Sequence, residues 1–248
     1  MSKKVFISGS ISLGSLSEEI KTSINKIIYN GFEIFLGDAD GIDALVQKYC
    51  LSKHYFNVTV YSISSYPRFI ASDEFRSKKV DVSEEIKKER ERQQEKDKMM
   101  TIQSDYSLVI WNGKSKGSYA NILRAFDSGK QVKVYLNDRF LTPEETTRNE
   151  IDFIYRTNNG YTASEVVSFL RQGVCDLFSR TQDLNKYLLQ NSVVTKENGV
   201  YIPKKEYEEL FFVNRYKGKV TGIRFKNEFI DWIETTLKKP SGVQESLF

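Results

Sequence analysis

Short apolar runs of strand type recur through the first half of the chain, separated by stretches whose apolar residues fall at helical spacing. Val5-Phe6-Ile7, Glu33-Ile34-Phe35-Leu36, Val58-Thr59-Val60-Tyr61, Leu108-Val109-Ile110-Trp111 and Val132-Lys133-Val134-Tyr135 read as five strands, short and rich in β-branched and aromatic residues. Between them Leu16, Ile20, Ile24, Ile27 and Ile28 line one face of a helix over 16–29, and further helices are predicted over 42–54 and 119–126. Parallel strands need crossovers, and crossovers are right-handed. The predicted product is an α/β, Rossmann-like, doubly wound parallel sheet of about five strands in the order 3-2-1-4-5, with ligands at the carboxyl ends of the strands.

The segment 64–100 is too long for a plain connection and holds the charged run EEIKKERERQQEKDK at 84–98. It reads as a solvated helix laced with i,i+4 charge pairs, the alternative being an excursion that closes over a ligand. Beyond residue 140 the texture changes. Helical patterns occur around 143–155, 163–170 and 181–189, β-like pieces at 200–202 and 220–223, and a last helix at 227–237 before Lys238-Lys239-Pro240-Ser241-Gly242. The expected division is a nucleotide-binding domain over 1–140, a smaller α+β domain over 142–239 and a flexible tail over 240–248.

Composition adds little to this picture. With 248 residues, 40% of them hydrophobic and 28% charged, the chain is long enough for a sizeable core and is not disordered throughout. The net charge of +4 is spread evenly, 23 Lys and Arg against 21 Asp and Glu over 1–150 and 14 against 12 over 151–248. A uniform excess that small does not argue for nucleic acid; only local clustering does. Cys50 and Cys175 have no metal or disulfide-framework spacing, which makes a reducing cytoplasmic location the expectation. The amino terminus reads as a first strand rather than a signal peptide, and no apolar run approaches a membrane span.

The chemistry-bearing signal is a set of turns at three predicted strand ends: Ser8-Gly9-Ser10, the run Gly37-Asp38-Ala39-Asp40-Gly41-Ile42-Asp43, and Asn112-Gly113-Lys114-Ser115-Lys116-Gly117-Ser118. Glycine there admits a ligand close to the backbone, and a helix start offers free amides and a positive dipole end. Each turn alone is an ordinary βα connection. Neither a GxGxxG nor a P-loop is present, because Leu108 stands where the P-loop's first glycine would be. Together the three turns point to a phosphate or ribose cradle.

With Lys96-Asp97-Lys98-Met99 leading into 104–118, these turns resemble the SLOG superfamily over residues 4–136. These are Rossmann-like domains related to cytokinin-activating phosphoribohydrolases, the DNA-processing protein A family and nucleoside 2-deoxyribosyltransferases. The resemblance implies a nucleotide, nucleoside or NAD-like ligand, no separate cofactor, and in several branches cleavage or transfer at an N-glycosidic bond. It also implies homo-oligomers that pair through helices flanking the sheet. Oxocarbenium character on the sugar calls for a nearby carboxylate, and Asp38, Asp43 and Asp97 are the candidates, Asp97 if its helix packs against the fourth strand. The expected ligand-binding set is Ser8, Gly9, Ser10, Gly37, Asp38, Gly41, Gly113, Ser115, Gly117, Ser118 and Asn121. Asn121 stands where phosphoribohydrolases carry a glutamate, and an amide is neither nucleophile nor base. A non-catalytic nucleotide sensor therefore stays beside the enzyme reading. The single histidine, His54, reads as a surface residue, and no metal site is predicted.

In the second part, the order helix, helix, helix, strand, turn, strand resembles a winged helix and the carboxy-terminal domains of some phage antirepressors. Residues 210–227 carry Arg215, Lys217, Lys219, Arg224 and Lys226 with no acidic residue between Leu210 and Asn227, as a DNA-contacting hairpin would; protection of a sheet edge is the alternative. The terminal Gln244-Glu245-Ser246-Leu247-Phe248 resembles the motif that docks on the bacterial sliding clamp, through Gln244, Leu247 and Phe248. The layout as a whole is similar to anti-phage effectors, to DNA-processing protein A or, as a third reading, to a phage-encoded regulator.

Overall fold

The computed structural model describes residues 2–173 and 177–238. They form two compact units, divided between Asp152 and Phe153. The first is an α/β unit. Its sheet contains β1 (Lys4–Gly9), β2 (Glu33–Leu36), β3 (Val58–Ser62), β4 (Arg76–Lys79), β5 (Tyr106–Ile110), β6 (Gln131–Leu136) and β7 (Arg139–Phe140), in the order β4-β3-β2-β1-β5-β6-β7. All pairings are parallel except β6 with β7. The five strands expected from the apolar pattern are the central ones, in the expected order. The two added strands lie at the edges. β4, Arg-Ser-Lys-Lys, is exposed along its length and has no apolar period to betray it; its cations guard an open edge. β7 is two residues long and hangs on a turn in which Asn137 and Asp138 both have positive φ.

Alternation along the strands gives the sheet two apolar faces. Val5 and Ile7 of β1 join one cluster with Ile20 and Ile24 of α1 (Glu18–Tyr29) and Val46 and Cys50 of α2 (Ile42–Ser52), whereas Phe6 joins Phe35, Tyr61 and Met100 in another. Met100 belongs to α3 (Glu89–Gln103), which together with α4 (Lys116–Asp127) completes the helices of this unit before α5 (Arg148–Asn159), which runs through the division between the units. The charged run was expected to be a solvated helix over 84–98. The helix starts later, extends to Gln103, and buries Lys96, Met100 and Thr101. A cation is among its anchors, so hydrophobic periodicity does not reveal the buried face.

The second unit packs α6 (Ala163–Gly173), α7 (Thr181–Gln190) and α8 (Asn227–Lys238) with two antiparallel hairpins, β8 (Val194–Glu197) with β9 (Val200–Pro203) and β10 (Phe211–Tyr216) with β11 (Lys219–Phe225). A 3-10 turn over Lys205–Leu210 separates the hairpins. This order, with a hairpin and a 3-10 turn before the expected hairpin, differs from the single strand-turn-strand after three helices read from the sequence. Both hairpins close on two residues with positive φ, Asn198-Gly199 and Lys217-Gly218, the geometry whose twist matches paired strands. Phe211, Phe225 and Phe229 pack at the centre as tilted rings, with centroids 4.6–5.4 Å apart. Among the described residues no helix is long and apolar enough to cross a membrane.

Candidate functional site

A crevice of about 380 Å³ opens where β1 ends and the loop after β2, α3 and the start of α4 converge. Its position follows from the strand order: β1 is flanked by β2 on one side and β5 on the other, and the connections leaving β1 and β2 diverge from those leaving β5. The walls include Ser8, Gly9, Asp43, Asp97, Ser115, Gly117, Ser118 and Asn121, eight of the residues expected from the sequence. Ser10, Gly37, Asp38, Gly41 and Gly113 are not among the residues that line it.

Ser10 ties two of the turns together. Its hydroxyl accepts from the Asn112 amide at 3.1 Å and lies 3.4 Å from Ser118 Oγ, which donates to Ser115 Oγ at 3.2 Å. Ser115 is the N-cap of α4, and Trp111 Nε1 donates to its carbonyl at 3.1 Å. Gly37 is required because a Cβ there would lie 2.3 Å from Asp43 Oδ2 and 3.2 Å from Lys96 Nζ. Gly41 is required twice over, by φ of +73° and by the backbone of Ile11, 2.4 Å from where a Cβ would stand.

Asp38 turns away from the role expected of it. It is 1% exposed, and its Oδ1 accepts from Lys96 Nζ at 2.7 Å and Arg68 Nη2 at 2.8 Å while its Oδ2 accepts from the Arg68 amide at 3.1 Å. Burial works to raise this carboxyl, but the hydrogen bonds and charges of Arg68 and Lys96 outweigh it and hold the group well below the usual carboxylate range. A carboxylate saturated in this way is a structural anchor. Lys96, itself 3% exposed, was not singled out from the sequence, because a lysine inside a run of charges reads as solvated.

The other two carboxylates face the crevice. Desolvation pushes Asp43 up to about 7; the Lys96 charge opposes this and the charges of Asp97 and Asp38 add to it. Asp97 is also raised, by desolvation first, against the pull of Lys96, Arg124 and a hydrogen bond from Asn121. Asn121 in turn accepts from Arg124 Nη1. Two carboxylates thus share one partly dry site with a single buried ammonium beside them, the arrangement that divides acid and base roles between like groups. On the floor, the Ser8 hydroxyl is buried and has no hydrogen-bond partner. Arg68, Arg90 and Lys116 stand at the rim with Asp40.

Elsewhere the candidates fare differently. His54 is exposed. Burial raises the Cys50 thiol to about 12, which makes it inert, and Cys175 lies outside the described residues. Among the described residues no group of three or more His, Cys, Asp or Glu side chains is placed to hold a metal ion. Of the basic cluster, Arg215, Lys217 and Lys219 are exposed around the tip of β10–β11. Arg224 is committed to the Gly160 carbonyl at 2.9 Å and to Glu165 at 3.9 Å, and Lys226 lies over the Phe212 ring at 5.2 Å. Gln244, Leu247 and Phe248 lie outside the described residues. Comparison with family models, curated proteins and solved structures returns no match.

Two outcomes are expected. Lys96→Met leaves Asp38 buried with one cation and should cost about 3–5 kcal/mol in urea unfolding, whereas Lys96→Met with Asp38→Asn should recover part of that loss. The folded-state carboxyl of Asp43 is raised above its unfolded value, so it weakens the fold increasingly as pH rises from the ordinary carboxylate range to about 7, and no further above that. Asp43→Asn should therefore gain on wild type by roughly 1–3 kcal/mol between pH 5 and pH 8.5; a gap that stays flat or shrinks in paired melts contradicts this assignment.

Proposed function

We propose that the first unit binds a nucleotide or nucleoside and cleaves or transfers at its N-glycosidic bond, and that the second unit holds DNA. The observation that carries this reading is the pair of raised carboxylates, Asp43 and Asp97, facing one crevice at the strand ends. The SLOG resemblance of the three turns supports the same ligand class.

In this scheme the bond between the anomeric carbon and the base nitrogen breaks with its electron pair leaving on the base. Asp43, protonated up to about pH 7, gives that nitrogen its proton. Asp97, raised by desolvation but with Lys96, Arg124 and Asn121 supporting its charged form against that, faces the positive charge that develops on the sugar. Water or a second base then takes the sugar and returns a proton to Asp43.

A second reading is favoured by Asn121. The resembled phosphoribohydrolases carry a glutamate there, and this amide bonded to Arg124 provides neither nucleophile nor base. Phage defence or counter-defence is the setting of the enzyme reading; in the second reading the crevice senses or sequesters its ligand without turnover while the second unit holds DNA, in the manner of DNA-processing protein A. Cytoplasmic location, homo-oligomers and clamp docking through the tail remain parts of the proposal drawn from sequence.

Incubation of the full chain with NAD, nucleotides and nucleosides, read by chromatography for released base, separates the two. Turnover that falls by about 100-fold or more in Asp97→Ala supports the enzyme; binding without turnover in wild type supports the sensor. For DNA, the three exposed cations of the β10–β11 tip, rather than all five of the cluster, should set the salt dependence. A slope of log Kobs against log salt of about −3 is expected, flattening when Arg215, Lys217 and Lys219 are replaced by Gln.

A further inference from the structure

We infer that the crevice selects a sugar phosphate, so that its ligand is a nucleotide and not a free nucleoside; this rests on the nucleotide or nucleoside reading above. Three features carry it. Arg90, exposed in the first turn of α3, and Lys116, in the first turn of α4, line the crevice, and their side chains take part in no hydrogen bond or ion pair among the described residues. Arg68, their neighbour on the rim, already gives one Nη to Asp38 and keeps half of its side chain exposed. Uncommitted cations at a cleft mouth attract an anion, and a guanidinium suits phosphate oxygens geometrically.

The lining deeper in offers no uncommitted cation. Asp43 and Asp97 lie within and Lys96 is bonded to Asp38, so a phosphate is held at the rim cations and not among the carboxyl groups. The third feature is Ser8. Its hydroxyl is buried in the crevice floor without a partner, a position in which an unmade hydrogen bond is costly. A sugar hydroxyl reaching the floor supplies that partner. The ligand is thereby oriented, sugar hydroxyls inward among Ser8 and the carboxylates, phosphate outward on Arg90 and Lys116.

The test compares AMP, GMP, CMP and UMP with their four nucleosides, by calorimetry on the full chain and by fluorescence of Trp111, whose indole is bonded to the Ser115 carbonyl. At least one monophosphate should bind about 10-fold or more tighter than its nucleoside, the scale of one charge-assisted hydrogen bond. Arg90→Gln with Lys116→Gln should erase that advantage without weakening the nucleoside. Ser8→Ala should weaken both forms while leaving thermal stability unchanged or higher, a combination that a merely structural hydroxyl does not produce. Equal affinity for nucleotide and nucleoside, or a preference that survives the double substitution, overturns this inference alone. Wild-type affinity in Ser8→Ala overturns the role of Ser8, and binding of none of the eight compounds overturns both the inference and the reading beneath it.

Discussion

The first unit depends on an ion pair that hydrophobic reasoning would not place inside a protein. Lys96 and Asp38 are both almost fully buried and meet at 2.7 Å. Neither charge is tolerable alone in such surroundings. Paired, and with Arg68 supplying both a guanidinium and a backbone amide to the same carboxylate, they join the turn after β2, the long segment after β3 and the helix α3. Those elements are far apart in sequence, and they carry Asp43, Arg68 and Asp97 to one place.

The electrostatics of the crevice follow from that pair. Lys96 is the cation near Asp43 and Asp97, yet its hydrogen bond is spent on Asp38, so desolvation wins at both crevice carboxylates and their affinity for a proton rises. Close packing enforces the geometry: any side chain at position 37 would collide with Asp43, and any at position 41 with the backbone of Ile11. The serine chain from Ser10 through Ser118 to Ser115 fixes the opposite wall. Ser8 is the exception on the floor, a buried hydroxyl left without a partner.

In the second unit the same logic sorts the basic residues. Five cations look equivalent along 215–226, but β-strand alternation and the positive-φ turn at Lys217-Gly218 give them different fates. Arg224 is drawn to Gly160 and Glu165, and Lys226 to an aromatic face, where they hold the unit together. Arg215, Lys217 and Lys219 stay in water.

The apolar pattern alone determined the five central strands, their order, the helices α1, α2 and α4, and the place of the crevice, because strand alternation, crossover handedness and glycine-bearing turns are local or nearly local rules. The edge strand β4 was invisible, since four exposed polar residues become a strand only when β3 offers them partners. Which of three aspartates would face the crevice was equally hidden: Asp38, Asp43 and Asp97 are alike as side chains, and a lysine in a charged run looks solvated. Only folding brought Lys96 and Arg68 against Asp38 and left Asp43 and Asp97 facing the crevice, because burial and pairing are properties of neighbours in space and not of neighbours in the chain.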